Sequence, residues 1–539
     1  MIISSGRSQV RWPVVLLTVL ALVVAGAVAV VARTAVAATA AAAAGEDDGA
    51  DCPVSLPSSL PANAKLPDPF TRLDGTRITS KSDWRCRREE IKKLAEKYVY
   101  GEKPGKPASV TGTVSSSNIT VNVAQNGRSA SFSAGVQLPS GSGPFPAVIV
   151  LGGFGADTST IRSSGAAVIS YDPLAVGKEG TARSNKQGAF YSIYGSSSGT
   201  GLLAAWAWGA SRIIDVIEQS GGSVLKADSV GVTGCSRYGK GAFATGVFDQ
   251  RIALTMPIES GSGGVPIFRG IAQESGAQPL SSAYSEQPWL GDAFGSYTGN
   301  PNGLPVDTHE MVAMVAPRGL FIMENPHIDW LAAKSGSVSA LGGAEVYKAL
   351  GAGDNITYWS DVQDGTHCAT RSEWQAPLRA NIQKFLLRSG GTTGGFRIAS
   401  GKAGDLSQWR DWQTPALSDG PTTPPTTPPT TPPTTPPTTP PTEGGCSASV
   451  STNQWTGGFV ATVRVTAGSW PVNGWTVSMT LPSGASITNA WNADRSGNSG
   501  TVQFGNVTFN GSIAPGQSTE FGFQGTGTGT GMAPTCTAR

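Results

Sequence analysis

The chain has 539 residues, which is too long for one ordinary domain, because single cores rarely grow beyond roughly 250–300 residues. Only 14% of the residues are charged and the net charge is +2, so the composition carries no electrostatic footprint for nucleic-acid binding. We therefore expect two folded units that act on neutral ligands.

The first residues have the pattern of an export signal. Arg7 and Arg11 precede an uncharged stretch, residues 13–32, and then the small residues 35–37. A basic start, an apolar stretch and an Ala-x-Ala-like site predict a signal peptide over residues 1–37 and a secreted, extracellular protein with no membrane attachment after processing. An uncleaved membrane anchor is the alternative, since the stretch approaches the roughly 20 residues that span a bilayer.

The next part of the chain predicts an α/β unit. Residues 38–51 are of low complexity and predict a disordered leader, and residues 52–417 predict the catalytic domain. Its middle alternates apolar, strand-like runs such as residues 145–151 with helix-like ones such as residues 202–219. Residues 319–324 read as another buried strand. This alternation indicates a mostly parallel sheet flanked by helices.

A candidate nucleophile stands between a strand-like run and a helix-like run. Residues 234–240 read Gly-Cys-Ser-Arg-Tyr-Gly-Lys, with Ser236 at the centre. A serine on a tight turn after a strand is typical of a nucleophile elbow, although the spacing Gly-x-Ser-x-x-Gly departs from the general Gly-x-Ser-x-Gly pattern. Ser236 therefore needs a base and an acid elsewhere in the chain.

Three histidines are available as the general base: His309, His327 and His367. His367 lies in a glycine-containing loop after the strand-like residues 356–359, and it comes last in chain order, as the base does in α/β-hydrolase triads. We predict that His367 is the base. His309 and His327 are predicted to be structural.

The acid should lie between the serine and the histidine, at the end of a strand. Glu259 directly follows the apolar run 252–258 and is our predicted acid. Glu324 and Asp329, which follow a later strand, remain alternatives.

These residues together resemble carbohydrate esterase family 15, the glucuronoyl esterases, across most of residues 52–400. The resemblance rests on Gly-Cys-Ser-Arg-x-Gly-Lys, Glu259 and the pair His367-Cys368. It implies an α/β-hydrolase three-layer sandwich that cleaves esters of the 4-O-methyl-glucuronic acid side chains of xylan with lignin alcohols through an acyl-enzyme. Arg237 would then stabilise the oxyanion through its backbone N–H and its guanidinium.

The same resemblance implies a set of substrate-binding residues and a range of partners. Glucuronoxylan and lignin-carbohydrate esters are the implied substrates, and Trp289 is predicted to be a core residue. No cofactor is implied, and three scattered histidines give no spacing for a metal site. An acetyl or feruloyl xylan esterase is one alternative, and a catalytically inactive polysaccharide-binding protein is another. The implied substrate-binding residues are Lys240, Gln278, Glu286 and Trp330.

Six cysteines in an exported chain suggest three disulfides. Cys446 and Cys536 bracket the last domain, and Cys235 and Cys368 neighbour the proposed nucleophile and base. That leaves Cys52 with Cys86. Matching bridges occur in family 15 members with this His-Cys arrangement, whereas the sequence alone permits all fifteen pairings, and free buried thiols are the alternative.

The end of the chain predicts a linker and a second domain. Residues 418–445 are rich in Pro and Thr, which favours a stiff polyproline II spacer. Residues 446–539 have short alternating segments between Gly, Asn and Pro turns, which predict a β-sandwich. Four motifs in this segment resemble a family 2 carbohydrate-binding module: Asn453-Gln454-Trp455, Asn473-Gly474-Trp475, Trp491-Asn492-Ala493 and Ile513-Ala514-Pro515-Gly516. The resemblance implies binding of cellulose or xylan, with Trp475 in the core. A monomer is assumed. The implied stacking residues are Trp455, Trp491 and Phe509.

Overall fold

The residues that the structure describes fall into two compact units, one before and one after the division between residues 423 and 424. The computed structural model describes residues 45–57, 61–419, 445–455, 457–507, 510–515 and 517–538. The predicted signal peptide, nearly all of the predicted linker and Phe509 lie outside the described residues. Within the described residues, no helix is long and apolar enough to cross a membrane.

A ten-stranded mixed sheet forms the centre of the first unit, in the order β1-β2-β3-β5-β4-β6-β7-β8-β9-β10. The strands from β1 to β5 pair in antiparallel fashion along this order, and those from β5 to β10 are all parallel. The strands are β1 Ser109–Val114, β2 Asn118–Gln125, β3 Arg128–Gln137, β4 Phe145–Leu151, β5 Ala167–Tyr171, β6 Leu225–Cys235, β7 Ile252–Ile258, β8 Gly319–Met323, β9 Ile356–Ser360 and β10 Gly395–Ile398.

Helices cover both faces of this sheet. Helices α4 and α5 pack against each other on one face, whereas α2 and α10 cover the other. The helices are α1 Asp83–Ala95, α2 Thr158–Ser163, α3 Ala189–Tyr194, α4 Leu202–Gln219, α5 Arg237–Phe248, α6 Phe268–Ile271, α7 Leu280–Glu286, α8 Thr308–Val315, α9 Ala333–Ala349 and α10 Ser372–Phe385.

The sequence of strand β4 is apolar at every position because both of its faces are buried. Ile149 and Leu151 belong to the core beneath α4, and Val148 and Val150 belong to the core beneath α10. A strand buried on both faces needs apolar side chains at every position, which is the pattern of parallel sheets between helix layers. The predicted α/β-hydrolase three-layer sandwich is confirmed.

The start of the first unit differs from the sequence prediction. Residues 45–51 were expected to belong to a disordered leader, but the Glu46 side chain is only 2% exposed. Its carboxylate accepts hydrogen bonds from Arg212 and, at 2.6 Å, from Lys103, and it lies 3.6 Å from Arg251. Burial alone would raise the pKa of Glu46, but these three cations lower it overall. This acidic arm is therefore part of the folded domain.

The acidic arm continues as a series of ion pairs along α1. Asp47 pairs with Lys92, Asp48 pairs with Arg88, and Asp51 pairs with Arg85. A run of acidic residues without apolar ones has the composition of a disordered segment, and the basic face that orders it is distant in sequence. At the other end of the unit, the Ser418 N–H donates to the Thr79 carbonyl at 3.0 Å, and Asp419 pairs with Lys81 at 2.8 Å, so the folded part includes two residues of the predicted linker.

Two antiparallel four-stranded sheets face each other in the second unit, in the orders β11-β12-β17-β14 and β15-β16-β13-β18. Trp475 is fully buried between them, as predicted, and its Nε1 donates to the Asn510 carbonyl at 2.8 Å. The strands are β11 Cys446–Trp455, β12 Gly458–Ala467, β13 Trp475–Thr480, β14 Ser486–Trp491, β15 Ala493–Arg495, β16 Thr501–Asn506, β17 Ser518–Thr526 and β18 Thr535–Ala538. The predicted β-sandwich is confirmed.

Three disulfides join the cysteines in the predicted pairs: Cys52–Cys86, Cys235–Cys368 and Cys446–Cys536. The second bridge connects residues that are 133 positions apart in the sequence. It joins the end of β6 to the loop after β9, which is the region that holds the candidate catalytic residues.

Candidate active site

Ser236 lies on the turn between β6 and α5, with φ at +60°. Its N–H donates to the Ile258 carbonyl at 3.0 Å, which anchors the turn to the neighbouring strand β7. A non-glycine residue with positive φ is strained, and such strain occurs at nucleophile elbows. The elbow therefore exposes the hydroxyl at the carboxyl edge of the sheet.

The unusual spacing of the elbow has a steric cause. A Cβ at Gly239 would lie only 2.4 Å from the Ile258 carbonyl oxygen, so the glycine is needed three residues after Ser236. The position two residues after the serine is occupied by Tyr238. Its ring packs between Trp206, at 5.8 Å, and Phe154, at 6.4 Å between centroids.

His367 and Glu259 meet at the same edge of the sheet. Glu259 directly follows β7 and is fully buried, and His367 lies in the loop between β9 and α10. The Nδ1–H of His367 donates to Oε2 of Glu259 at 2.6 Å. The Nε2 atom is buried and has no hydrogen-bond partner among the described residues, which leaves it available to the serine proton. This is the base-and-orienter geometry of a catalytic triad.

The disulfide fixes the chain on both sides of this pair. Cys235 precedes Ser236, and Cys368 follows His367, so the bridge ties the elbow to the histidine loop. The Cys368 N–H also donates to Oε2 of Glu259 at 2.8 Å. These sulfurs, Glu259 and His367 lie within 4.8 Å of one another, but sulfurs joined in a disulfide are not the thiolates that bind metals.

Two residues that the sequence analysis missed hold the acid. Oε1 of Glu259 accepts from the Arg371 guanidinium at 3.3 Å and from the Asn325 amide at 3.5 Å. Arg371 also donates to the Thr366 carbonyl at 2.6 Å, in the loop that carries His367. A buried carboxylate needs such compensation to stay charged. Asn325 is the second residue after the end of β8, which was a usable signal, whereas Arg371 had no sequence signal.

The alternative acids lie elsewhere. Asp329 is an exposed residue that pairs with Lys402 at 2.8 Å. Glu324 is fully buried, and its Oε1 atom lies 3.5 Å from the Ser260 hydroxyl. Burial and the nearby charge of Glu259 raise the pKa of Glu324 well above its usual range. Only Glu259 among these three bonds to His367.

Arg237, which follows the nucleophile, opens helix α5. N–H groups in the first helical turn have no partner within the helix, so the Arg237 N–H can donate a hydrogen bond to an anion near Ser236. Its guanidinium is 47% exposed and pairs with Glu179 at 3.0 Å. Burial lowers the pKa of Arg237, but the hydrogen bond and charge of Glu179 raise it overall.

The predicted substrate-binding residues form one polar cluster beside the triad. Nε2 of Gln278 donates to Oε2 of Glu286 at 2.8 Å, and the Gln278 N–H donates to the Trp330 carbonyl at 3.2 Å. The Trp330 ring is 43% exposed and meets the His367 ring edge-on, at 4.8 Å between centroids.

Lys240 completes this cluster from beneath. Its ammonium is buried and donates to the Ser260 carbonyl at 2.5 Å. It lies 5.2 Å from the ring centroid of Trp289, which is itself buried, as predicted. Burial lowers the pKa of Lys240 to about 8, although the charges of Glu286 and Glu324 raise it. Lys240 can therefore change its charge close to physiological pH.

The remaining histidines bond to backbone carbonyls. Nε2 of His309 donates to the Pro67 carbonyl at 2.9 Å, and Nε2 of His327 donates to the Val362 carbonyl at 2.8 Å. Burial lowers the pKa of His309 to about 4, so this side chain is neutral in the folded protein. Both contacts agree with the predicted structural roles.

In the second unit, the structure describes the side chain of only one of the predicted stacking residues, Trp491. Trp491 ends the edge strand β14 and is 38% exposed. A Cβ at Gly522 would lie 2.4 Å from its indole, so the glycine lets this ring lie close against β17. Trp455 ends β11, but its side chain lies outside what the structure describes.

The comparisons with known proteins agree with this geometry. A family model of glucuronyl esterases from fungi matches residues 121–351, and a cellulose binding domain model matches residues 446–538. A 4-O-methyl-glucuronoyl methylesterase of Hypocrea jecorina is 39% identical over 377 residues, which cover 69% of this chain and 80% of that protein.

Solved structures give the same result. A mutant glucuronoyl esterase from Sporotrichum thermophile, in complex with methyl 4-O-methyl-β-D-glucopyranuronate, is 38% identical, with a TM-score of 0.64 over 68% of this chain and 100% of that chain. A family 15 glucuronoyl esterase from Caldicellulosiruptor kristjansonii is 31% identical, with a TM-score of 0.56 over 66% of this chain and 99% of that chain.

Proposed function

Since the chain belongs to the glucuronoyl esterases of carbohydrate esterase family 15, we propose that it hydrolyses esters between the 4-O-methyl-glucuronic acid side chains of xylan and lignin alcohols. The observation that carries this proposal is the hydrogen bond from His367 to Glu259 at the elbow serine. The polar cluster that contains Lys240 and Glu286 lies beside it. It combines an acyl-transfer site with donors and acceptors for a sugar acid.

In the proposed reaction, Oγ of Ser236 attacks the ester carbonyl while Nε2 of His367 takes the hydroxyl proton. Glu259 stabilises the imidazolium that forms, and the Arg237 N–H and guanidinium stabilise the oxyanion. His367 then gives the proton to the departing alcohol, which leaves the glucuronoyl group on Ser236. Water, activated by His367, releases the acid and restores the serine.

The polar cluster supports recognition of the acyl part. The Lys240 ammonium and the Gln278 amide can donate to sugar hydroxyl or ring oxygens, and the Glu286 carboxylate can accept from hydroxyls. Trp330 offers an exposed apolar face beside His367 for the sugar ring and its methoxy group. Two alternatives are an acetyl or feruloyl xylan esterase and an inactive polysaccharide-binding protein. Both are outcomes of the tests below.

We further propose that the second unit binds cellulose or xylan through Trp455, Trp491 and Phe509, and that the protein works outside the cell as a monomer. The match of residues 446–538 to a cellulose binding domain and the exposed indole of Trp491 support this role. Flat aromatic rings stack on sugar faces because both surfaces are apolar.

Lys240→Met tests recognition of the sugar acid. We expect kcat/KM for benzyl glucuronate to fall roughly 100-fold, because a buried charged donor is lost, and kcat/KM for 4-nitrophenyl acetate to fall less than about threefold. Lys240 is charged below its pKa of about 8, so wild-type kcat/KM for the glucuronate ester should decline as the pH rises through that value. The variant should lack this decline.

The control for this experiment is Lys348→Met, which removes an exposed lysine from α9. Release of benzyl alcohol from benzyl glucuronate and release of acetate from acetylated xylan are measured for the wild type, Lys240→Met and Lys348→Met. A wild-type preference for acetylated xylan would favour the alternative esterase, and no turnover of either substrate would favour the binding protein.

Trp491→Ala tests the second unit. Loss of one stacking ring should weaken binding to insoluble polysaccharide about 10-fold, which corresponds to roughly 1.4 kcal/mol. Depletion isotherms with microcrystalline cellulose and with insoluble xylan measure the effect. The matched control is Trp470→Ala, which removes a tryptophan that is 66% exposed in the loop between β12 and β13. Equal losses for the two variants would contradict a binding face at Trp491.

A further inference from the structure

Glu179 lies in the loop between β5 and α3 and contacts two residues of the candidate site, Arg237 and Trp289. Its Oε2 atom accepts from the Arg237 guanidinium at 3.0 Å, and its Oε1 atom accepts from Nε1 of Trp289 at 2.6 Å. The Glu179 side chain is only 11% exposed. One largely buried carboxylate thus bridges the residue after the nucleophile and the residue beneath Lys240.

Arg237 depends on this contact for its position. Its guanidinium is 47% exposed, and Glu179 is its only ion-pair partner among the residues the structure describes. A long side chain at the surface samples many rotamers and loses entropy when it is ordered. Groups that stabilise an oxyanion act well only when they are in place before the charge develops. Glu179 is the residue that supplies this order.

The second contact extends the effect to the polar cluster. The indole of Trp289, held by Glu179, lies 5.2 Å from the Lys240 ammonium. The Gly180 N–H donates to the Gln287 side chain at 2.7 Å, so the same loop also holds the segment that follows Glu286. Glu179 therefore connects Arg237, the proposed oxyanion residue, with the polar cluster proposed to bind the sugar acid.

Charge gives an independent reason for an acidic residue at this place. Four charged groups act on Lys240: Glu286, Glu324 and Glu179 raise its pKa, and Arg237 lowers it. Neutralising Glu179 removes one favourable charge and leaves the repulsion from Arg237. The pKa of Lys240 should then fall further, and this change can be read from a pH profile.

We propose that Glu179 is a positioning residue that holds the Arg237 guanidinium beside the oxyanion of the reacting ester. The role of Arg237 in this inference rests on the proposed function. Glu179 itself touches no reacting atom. Its effect on kcat passes through Arg237, and its effect on the pH profile passes through the charge of Lys240.

A double-mutant cycle tests this role, with Glu179→Gln, Arg237→Ala and the double variant assayed on benzyl glucuronate. Arg237→Ala should lower kcat roughly 100-fold, as loss of an oxyanion donor does. Glu179→Gln should lower kcat on the order of 10-fold, with KM changed less than about threefold. The double variant should match Arg237→Ala within about twofold, because the acid acts through the arginine.

Two further readouts separate positioning from a purely structural role. In Glu179→Gln, the decline of kcat/KM at alkaline pH should begin at a lower pH than in the wild type. Glu179→Asp keeps the charge on a shorter side chain, so it should recover part of the lost kcat. If Glu179→Gln is too unstable to assay, the same cycle is run with Glu179→Asp, and it should show the same coupling to Arg237.

The matched control is Glu520→Gln, which breaks an exposed pair with Arg464, 2.9 Å apart, in the second unit and should leave kcat unchanged. Additive losses in the cycle, or a wild-type kcat for Glu179→Gln, would overturn the proposal. The cycle is repeated on 4-nitrophenyl acetate, because oxyanion stabilisation does not require the sugar acid. Failure of the proposed substrate would appear as a wild type inactive on glucuronate esters, with the Glu179–Arg237 coupling still measurable on the acetate.

Discussion

Replacing Ser236 with alanine should reduce kcat for benzyl glucuronate by roughly 10⁴-fold or more, since loss of the nucleophile removes the acyl-enzyme route. The serine lies on a strained turn at φ +60°, and Nε2 of His367 has no hydrogen-bond partner among the residues that the structure describes. No neighbouring hydroxyl shares this geometry in the described site. Alcohol release under saturating substrate, together with the size of the initial burst, measures the effect.

The control for this variant is Ser170→Ala, which removes an exposed hydroxyl from β5 and should behave as the wild type. Thermal unfolding of both variants verifies that the fold is intact. Ser236→Ala with more than about a tenth of wild-type kcat would contradict a serine mechanism, because triad serines contribute far more than this.

The second large effect is expected for Glu259→Gln, with kcat lower by roughly 10³–10⁴-fold. Glutamine has nearly the same shape, but it cannot stabilise the imidazolium. Its NH₂ group would also face a hydrogen-bond donor, either the Nδ1–H of His367 or the donors on Asn325 and Arg371. The histidine would then adopt the wrong tautomer. Steady-state kcat on the glucuronate ester is the measurement.

Glu324→Gln is the matched variant for this prediction, since both carboxyls follow neighbouring strands. Burial and the charge of Glu259 raise the pKa of Glu324 well above its usual range, and glutamine imitates the protonated form that this shift favours. We expect kcat within about threefold of the wild type. A large loss in Glu324→Gln combined with an active Glu259→Gln would reverse the assignment of the acid.

The parts of the fold that were predictable have local signals. Unbroken apolar runs marked the parallel strands, such as β4, and cysteines beside motif residues suggested the pairing of Cys235 with Cys368. The proposed triad could be predicted because Ser236 and Glu259 stand at the ends of strand-like runs and His367 lies in the loop that follows another, and strand ends of a parallel sheet meet at one edge.

The missed features depend on contacts between residues far apart in the sequence. Arg371 reaches Glu259 over 112 positions, and Glu179 reaches Trp289 over 110. Neither Arg371 nor Glu179 belongs to a motif that the sequence analysis recognised. The acidic arm, residues 45–51, was assigned to the leader because its composition alone favours disorder, and its ordering depends on cations elsewhere.

The acidic arm also sets a limit on how the chain can be shortened. A catalytic fragment that began at Cys52, where the sequence places the domain boundary, would keep the first disulfide but lose Glu46. Arg212 and Arg251 would keep their ion pairs with Asp215. Lys103, whose side chain is only 1% exposed, would lose Glu46, its one ion-pair partner among the residues the structure describes. Uncompensated buried charges cost roughly 3–5 kcal/mol, a large part of the stability of a typical domain. Any recombinant fragment or proteolytic trimming that preserves the catalyst should therefore leave Glu46 in place.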